Sequence, residues 1–191
     1  MNISARFFKF SSSVLLLSSI VSTTQAGTGY DDAFLAFENQ DYSTALTLTL
    51  PLAQQNDVEA MTLLGRVYDE GFNQPKEAFS WFKKAAELGN AQAQVELAEL
   101  FDAGEGVSQD TEQAVFWYEK AAQQGHEEAQ LALALHYLED LEDIATAIEY
   151  FQQAAEQGNS TAQYRLGLLY LGDTGIPNDN LKAWVYFSLA A

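Results

Sequence analysis

Residues 93–125 read AQVELAELFDAGEGVSQDTEQAVFWYEKAAQQG, and three other stretches of the chain repeat the pattern. The paired alanines Ala121-Ala122 recur as Ala85-Ala86, Ala154-Ala155 and Ala190-Ala191, so the four pairs stand 36, 33 and 36 residues apart. Two aromatics precede each pair: Trp81-Phe82, Trp117-Tyr118, Tyr150-Phe151 and Tyr186-Phe187. Another alanine lies one turn earlier, at Ala78, Ala114, Ala147 and Ala183. These positions fall on one face of a helix. The spacing predicts a helix with rings on its buried stripe and small residues where another backbone must come close.

A second helix pattern precedes the first in every unit. Ala60, Ala93, Ala129 and Ala162 open it. Leu64, Leu97, Leu133 and Leu166 follow, then Gly65, Ala98, Ala134 and Gly167, then Tyr68, Phe101, Tyr137 and Tyr170. Bulky, small and ring-bearing positions in fixed order suit helix-on-helix interdigitation. Gly89, Gly125 and Gly158 punctuate the ends of the units, where a left-handed residue stops a helix. Between the two helices sit Gly71, then Gly104-Glu105-Gly106, then Gly172 and Gly175. The 33/36 alternation belongs to these turns, since surface loops tolerate length change and packed helices do not. A degenerate unit precedes the four, with Ala33, Phe37, an Asn39-Gln40-Asp41-Tyr42 turn and Ala45. Pro51 is expected to kink or shorten its second helix.

The third unit carries Ala93-x-x-x-Leu97-Ala98-x-x-Phe101-x-x-Gly104-x-Gly106-Val107-x-x-Asp110, then Ala114-x-x-Trp117-x-x-Lys120-Ala121-Ala122-x-x-Gly125. This resembles the Sel1-like repeat, a relative of the tetratricopeptide repeat. Units at 58–90, 91–126, 127–159 and 160–191 share the resemblance, and 27–57 looks closer to a tetratricopeptide repeat. Unit two lacks the double glycine, unit four has lost both glycines at Leu138-Glu139-Asp140-Leu141, and unit five has Gly172 one position early and Ile176 for valine. The resemblance implies an all-α, right-handed α-solenoid of about five antiparallel helix pairs. It also implies work in protein–protein interaction. Exported bacterial members are often adaptors, assembly factors or regulators of envelope signalling.

Residues 1–26 are read as a signal peptide. Arg6 and Lys9 precede an apolar stretch of 11 residues, Ser11 to Val21, and Thr24-Gln25-Ala26 places small residues before Gly27. The stretch falls well short of the roughly 20 apolar residues of a membrane-spanning helix. Cleavage near Ala26 is expected to deliver the protein to the periplasm, or to the medium, with no membrane span. It would leave 7 basic against 27 acidic side chains, a net −20. That charge repels phosphate backbones, so nucleic acid is not an expected partner. Cysteine is absent from the chain, which removes disulfides and thiolate chemistry.

No catalytic set, cofactor motif or metal-ligand spacing emerges, and the chain is read as a non-enzyme. His126 follows the helix-ending Gly125 and is expected to be a solvated turn residue. His136 stands where the other units have Val67, Leu100 and Leu169, which suits a core or groove histidine. The run Glu139-Asp140-Leu141-Glu142-Asp143 lacks calcium-loop spacing and reads as a solvated face.

A partner is expected on the face lined by the first helix of each unit. Three rows point there: Thr62, Val95, Leu131 and Tyr164; then Arg66, Glu99, Leu135 and Leu168; then Asp69, Asp102, Leu138 and Leu171. Arg66, Asp69, Glu99 and Asp102 make one half charged. Leu131, Leu135, Leu138, Tyr164, Leu168 and Leu171 make the other apolar. The expected occupant is a protein segment with basic and apolar character. Burial of the leucines in the core is the alternative. The last helix, with Trp184, Tyr186 and Phe187, is read as an apolar end that self-associates, receives a partner, or marks a truncated product. Two functions fit: an envelope adaptor or assembly factor, and a periplasmic regulator that binds a sensor protein.

Overall fold

A computed structural model describes residues 28–172 and 177–191. Residues 1–26, read above as a signal peptide, and the positions of Gly175 and Ile176 lie outside the described residues. Ten α-helices follow one another, with no strand among the described residues. They pair as α1 (Thr28–Glu38) with α2 (Tyr42–Gln54), α3 (Val58–Arg66) with α4 (Pro75–Glu87), and α5 (Ala91–Ala103) with α6 (Thr111–Ala122). α7 (Glu127–Glu139) pairs with α8 (Ile144–Glu156), and α9 (Ser160–Tyr170) with α10 (Asn180–Leu189). Each hairpin packs on the next through α2–α3, α4–α5, α6–α7 and α8–α9, which makes an α-solenoid.

The helix starts follow from side-chain capping. Asp57, Asn90, Asp110, Asp143, Asn159 and Asp179 each accept the backbone N–H three residues on, at 2.8–3.1 Å. Gly89, Gly125 and Gly158 end their helices with φ of 95°, 84° and 98°. Asn56, one repeat before Gly89, takes φ 66° in the same role. Pro51 does not end α2, which runs on to Gln54. The lost N–H costs one helical bond, and three further residues keep their helical form.

The core is the interlock the repeat foretells. Phe82 and Phe151 are fully buried and Tyr118 nearly so. Phe82 lies so close to Gly65 that a Cβ there would overlap its ring. Phe187 crowds Gly167 likewise, with an added Cβ 2.6 Å from the ring. Tyr118 and Phe151 meet alanine instead, in clusters that hold Ala98 and Ala134. Gly71 is a packing glycine rather than a turn glycine. It closes a π-helical turn, Val67–Gly71, that extends α3, and a Cβ there would strike the Tyr42 ring.

A second repeated feature joins the hairpins. Gln94, Gln130 and Gln163, each one residue after the alanine that opens a first helix, are buried. Gln94 donates to the Ala86 carbonyl at 3.2 Å and Gln163 to that of Ala155 at 3.1 Å, each at the end of the preceding hairpin. Gln124 and Gln157 donate in turn to Gln94 and Gln130 at 2.8 and 2.7 Å. These amides bring a second donor to helix-end carbonyls that already accept the Gly89 and Gly158 N–H groups, and so tie each hairpin to the next.

Gly65→Ala should lower stability by about 1–2 kcal/mol, because overpacking costs ~1–3 kcal/mol and helix propensity returns at most ~1. Urea denaturation checks it. The penalty should shrink in a Phe82→Leu background, and an equal penalty in both backgrounds would show that the ring is not its cause.

Candidate functional site

The first helices α3, α5 and α7 lie side by side and enclose a cleft of about 570 Å³. Arg66 and Glu70 line it from the α3 segment, Gln92, Glu96 and Glu99 from α5, and Glu128, Leu131, Ala132 and Leu135 from α7. Helical spacing explains the set. Residues three and four apart share a face, and the opposite face is committed to the interlock with the second helix.

The floor is ordered by a chain of polar contacts. His126 Nε2 lies 3.0 Å from Gln92 Oε1, and Gln92 Nε2 donates to Glu96 at 2.9 Å. Arg66 Nε pairs with Glu70 at 2.9 Å and stands 4.0 Å from Glu96, while its guanidinium covers the Phe37 ring at 4.5 Å. His126 is therefore not a solvated turn residue. It is half-buried at the start of α7, held by α5 of the preceding unit.

His136 is buried, as a core or groove position requires. Its Nδ1 is 2.7 Å from Asp140 and its Nε2 3.5 Å from Asp102, so it joins unit four to unit three. The acidic run after it is exposed apart from these duties: Asp140 meets His136, and Asp143 caps α8. Among the described residues no group of three or more His, Asp or Glu is placed to hold a metal ion.

The three predicted rows reach the same face unevenly. Thr62 and Val95 are buried, at 7% and 2% exposure, and present little surface to a partner. Val95 joins the Ala98–Tyr118 cluster, and the Thr62 hydroxyl donates to the Val58 carbonyl at 3.0 Å. Arg66, Asp69 and Asp102 are half-buried, and Glu99 is exposed. Leu131, Leu135 and Leu138 are half-buried against the core of the last two units. Tyr164, Leu168 and Leu171 are exposed, at 52%, 38% and 45%. The leucines thus divide between the two readings, three leaning on the core and the rest of the apolar set open. On α10, Tyr186 stacks on Tyr170 and Phe187 meets Tyr164, whereas Leu181, Trp184 and Leu189 are exposed.

Crowded carboxylates dominate the electrostatics. Glu99 keeps a solvent-exposed edge, yet partial desolvation by the surrounding helices, and then the charges of Glu96, Glu128, Asp69 and Asp102, push its carboxyl up to about 7. Burial also raises Glu96, against the opposing pull of the Gln92 bond and Arg66. Asp69 is raised by burial and by Glu105 and Glu70. Sequence pattern shows the glutamates but not their convergence, which comes from three helices of three units.

An all-α repeat with hairpins stacked in register defines the tetratricopeptide-like class of solenoids. Four consecutive Sel1 repeats match the chain at 58–90, 91–126, 127–159 and 160–191, and the chain belongs to the Sel1 repeat family. A protective antigen of uropathogenic Escherichia coli with this repeat fold is 34% identical, with a TM-score of 0.79 over 85% of this chain and 37% of the antigen. The chain thus spans little more than a third of that relative's length. A Sel1 repeat protein of Oxalobacter formigenes is 32% identical, with a TM-score of 0.76 over 84% of this chain and 68% of that one. An immunity protein of Pseudomonas aeruginosa, 21% identical with a TM-score of 0.57 over 87% of this chain and 65% of its own, shares the fold. No curated protein sequence matches the chain. Sel1 repeat proteins are generally protein-interaction scaffolds and typically non-enzymatic. Among the described residues no helix is long and apolar enough to cross a membrane.

Glu99→Gln tests the crowding. A carboxyl raised in the fold favours folding below its unfolded value, near 4.5, and loses that contribution as pH rises through about 7. The variant should therefore have a higher urea midpoint than the parent at pH 8, with the gain gone below pH ~4.5. A gain that persists at low pH would contradict this origin.

Proposed function

We propose that the protein is an exported scaffold of the bacterial envelope, an adaptor or assembly factor that holds a protein partner on its first-helix face. One observation carries the reading. Where α3 and α5 present Arg66, Asp69, Glu99 and Asp102, the matching turns of α7 and α9 present Leu131, Leu135, Leu138, Tyr164, Leu168 and Leu171. Leu131, Leu135 and Leu138 also lean on the core, so the change from charged to apolar is only partly a packing requirement and is free at its exposed members to serve a partner. Tyr164, Leu168 and Leu171 are the members that stay exposed. A net acidic surface favours a basic partner and speeds encounter. A regulator that binds a sensor protein would use the same face and differ only in the partner.

Export rests on Arg6, Lys9, the Ser11–Val21 stretch and the small residues ending at Ala26. Expressed in a Gram-negative host, the chain should appear in the periplasmic fraction with Gly27 as its first residue by mass spectrometry. Cytoplasmic retention of the uncleaved chain would overturn this.

The face is tested by Leu135→Asp with Leu168→Asp, and separately by Leu168→Asp with Leu171→Asp, whose wild-type side chains are both exposed. Proteins captured from an envelope extract by the parent should be lost with the folded variants, as circular dichroism establishes. A folded variant that keeps every captured protein defeats the reading.

A further inference from the structure

The cleft between α3, α5 and α7 is where the charged and apolar halves of the face meet. Four carboxylates line it, from Glu70, Glu96, Glu99 and Glu128, against one cation, Arg66. Arg66 is committed to Glu70, and Glu96 is held by Gln92 and approached by Arg66. Glu99 and Glu128 form no ion pair or hydrogen bond through their side chains among the described residues. The wall beside them is apolar, built by Leu131, Ala132 and Leu135. On the next first helix, α9 and its C-terminal cap, Leu168 and Leu171 are exposed.

Unneutralised carboxylates beside a hydrocarbon wall complement one kind of side chain. Lysine and arginine carry an apolar stem that lies along such a wall and a cation that reaches the carboxylates. We propose that this cleft receives one lysine or arginine side chain of the partner's docking segment, while apolar residues next to it in that segment lie on α7 and α9. The proposal rests on the scaffold reading above and specifies the chemistry of what the face holds. A second copy of this chain is a poor occupant, since its net charge of −18 repels an acidic cleft.

The arrangement couples binding to a proton. Glu99 faces Glu96 and Asp102 on its own helix, Asp69 from the turn after α3, and Glu128 on α7. The Tyr118 hydroxyl of α6 lies within its field, and Arg66 is the cation across the cleft. With its carboxyl near 7, Glu99 is about one-tenth ionised at pH 6 and about nine-tenths at pH 8. An arriving cation selects the ionised form and displaces a proton. Affinity for a basic segment should then rise about tenfold from pH 6 to pH 8.

Selection of random twelve-residue peptides displayed on phage tests the assignment. The targets are the purified full chain, its Glu99→Gln/Glu128→Gln variant and its Leu168→Asp/Leu171→Asp variant. Peptides selected on the parent should carry a lysine or arginine beside two or more apolar residues. The basic residue should disappear from the selection on the first variant, and the peptides should not bind the second. Apolar peptides with no basic residue, or a basic preference unchanged by Glu99→Gln/Glu128→Gln, would overturn the cleft assignment and leave the scaffold reading standing. Peptides indifferent to Leu168→Asp/Leu171→Asp, or no enrichment at all, would defeat both. A selected lysine peptide, titrated calorimetrically, should bind about tenfold more tightly at pH 8 than at pH 6. Its norleucine counterpart should show no such change. Equal affinity of the lysine peptide at both pH values would overturn the proton coupling.

Discussion

Everything in this molecule depends on a ring of one helix seated on a small residue of its neighbour. Phe82 on Gly65 and Phe187 on Gly167 leave no room for a Cβ. Tyr118 and Phe151 sit with Ala98 and Ala134 in the same register. Burying a phenylalanine such as Phe82 or Phe151 contributes roughly 1.5–3 kcal/mol, comparable to the buried leucine of the facing helix. The small residue sets how closely the helices approach. Repeated along the chain, the contact places successive first helices side by side. Only that placement brings Arg66, Glu99 and Leu135, from three different units, to one cleft.

The interlock also determines which positions are free to vary. A first helix commits its leucine, its small residue and its aromatic to the hairpin. The residues on the opposite face answer to whatever lies over them. That face is charged on α3 and α5 and apolar on α7 and α9, with no change in the buried stripe. A repeat of this kind can vary that face without changing its fold.

The helix pairs and their glycine stops were legible in the residues because alanines, rings and glycines at these intervals suit stacked helical hairpins and little else. The groove was legible in part. Thr62 and Val95 occupy nominal groove positions, yet the neighbouring units close over them, and the tightness of that closure has no mark in a single helix. The glutamine ladder stayed hidden for a different reason. Gln94, Gln130 and Gln163 recur in register, but a polar residue at helical spacing reads as surface until the carbonyl it meets is known. That carbonyl, of Ala86 or Ala155, belongs to the preceding hairpin. His126 escaped likewise, since its partner Gln92 lies 34 positions away in the chain. Asn56, one repeat before Gly89, was missed as well, although asparagine tolerates the left-handed turn that its place in the repeat requires.

The central claim is most directly tested by nuclear magnetic resonance of the unmodified protein at Gly65 and Gly167. A proton held against an aromatic face is shifted upfield and exchanges magnetisation with the ring protons. The account predicts upfield-shifted Hα resonances at both glycines, with cross-relaxation from the Phe82 ring to Gly65 and from the Phe187 ring to Gly167. Ordinary glycine shifts without ring contacts at these two positions would contradict it.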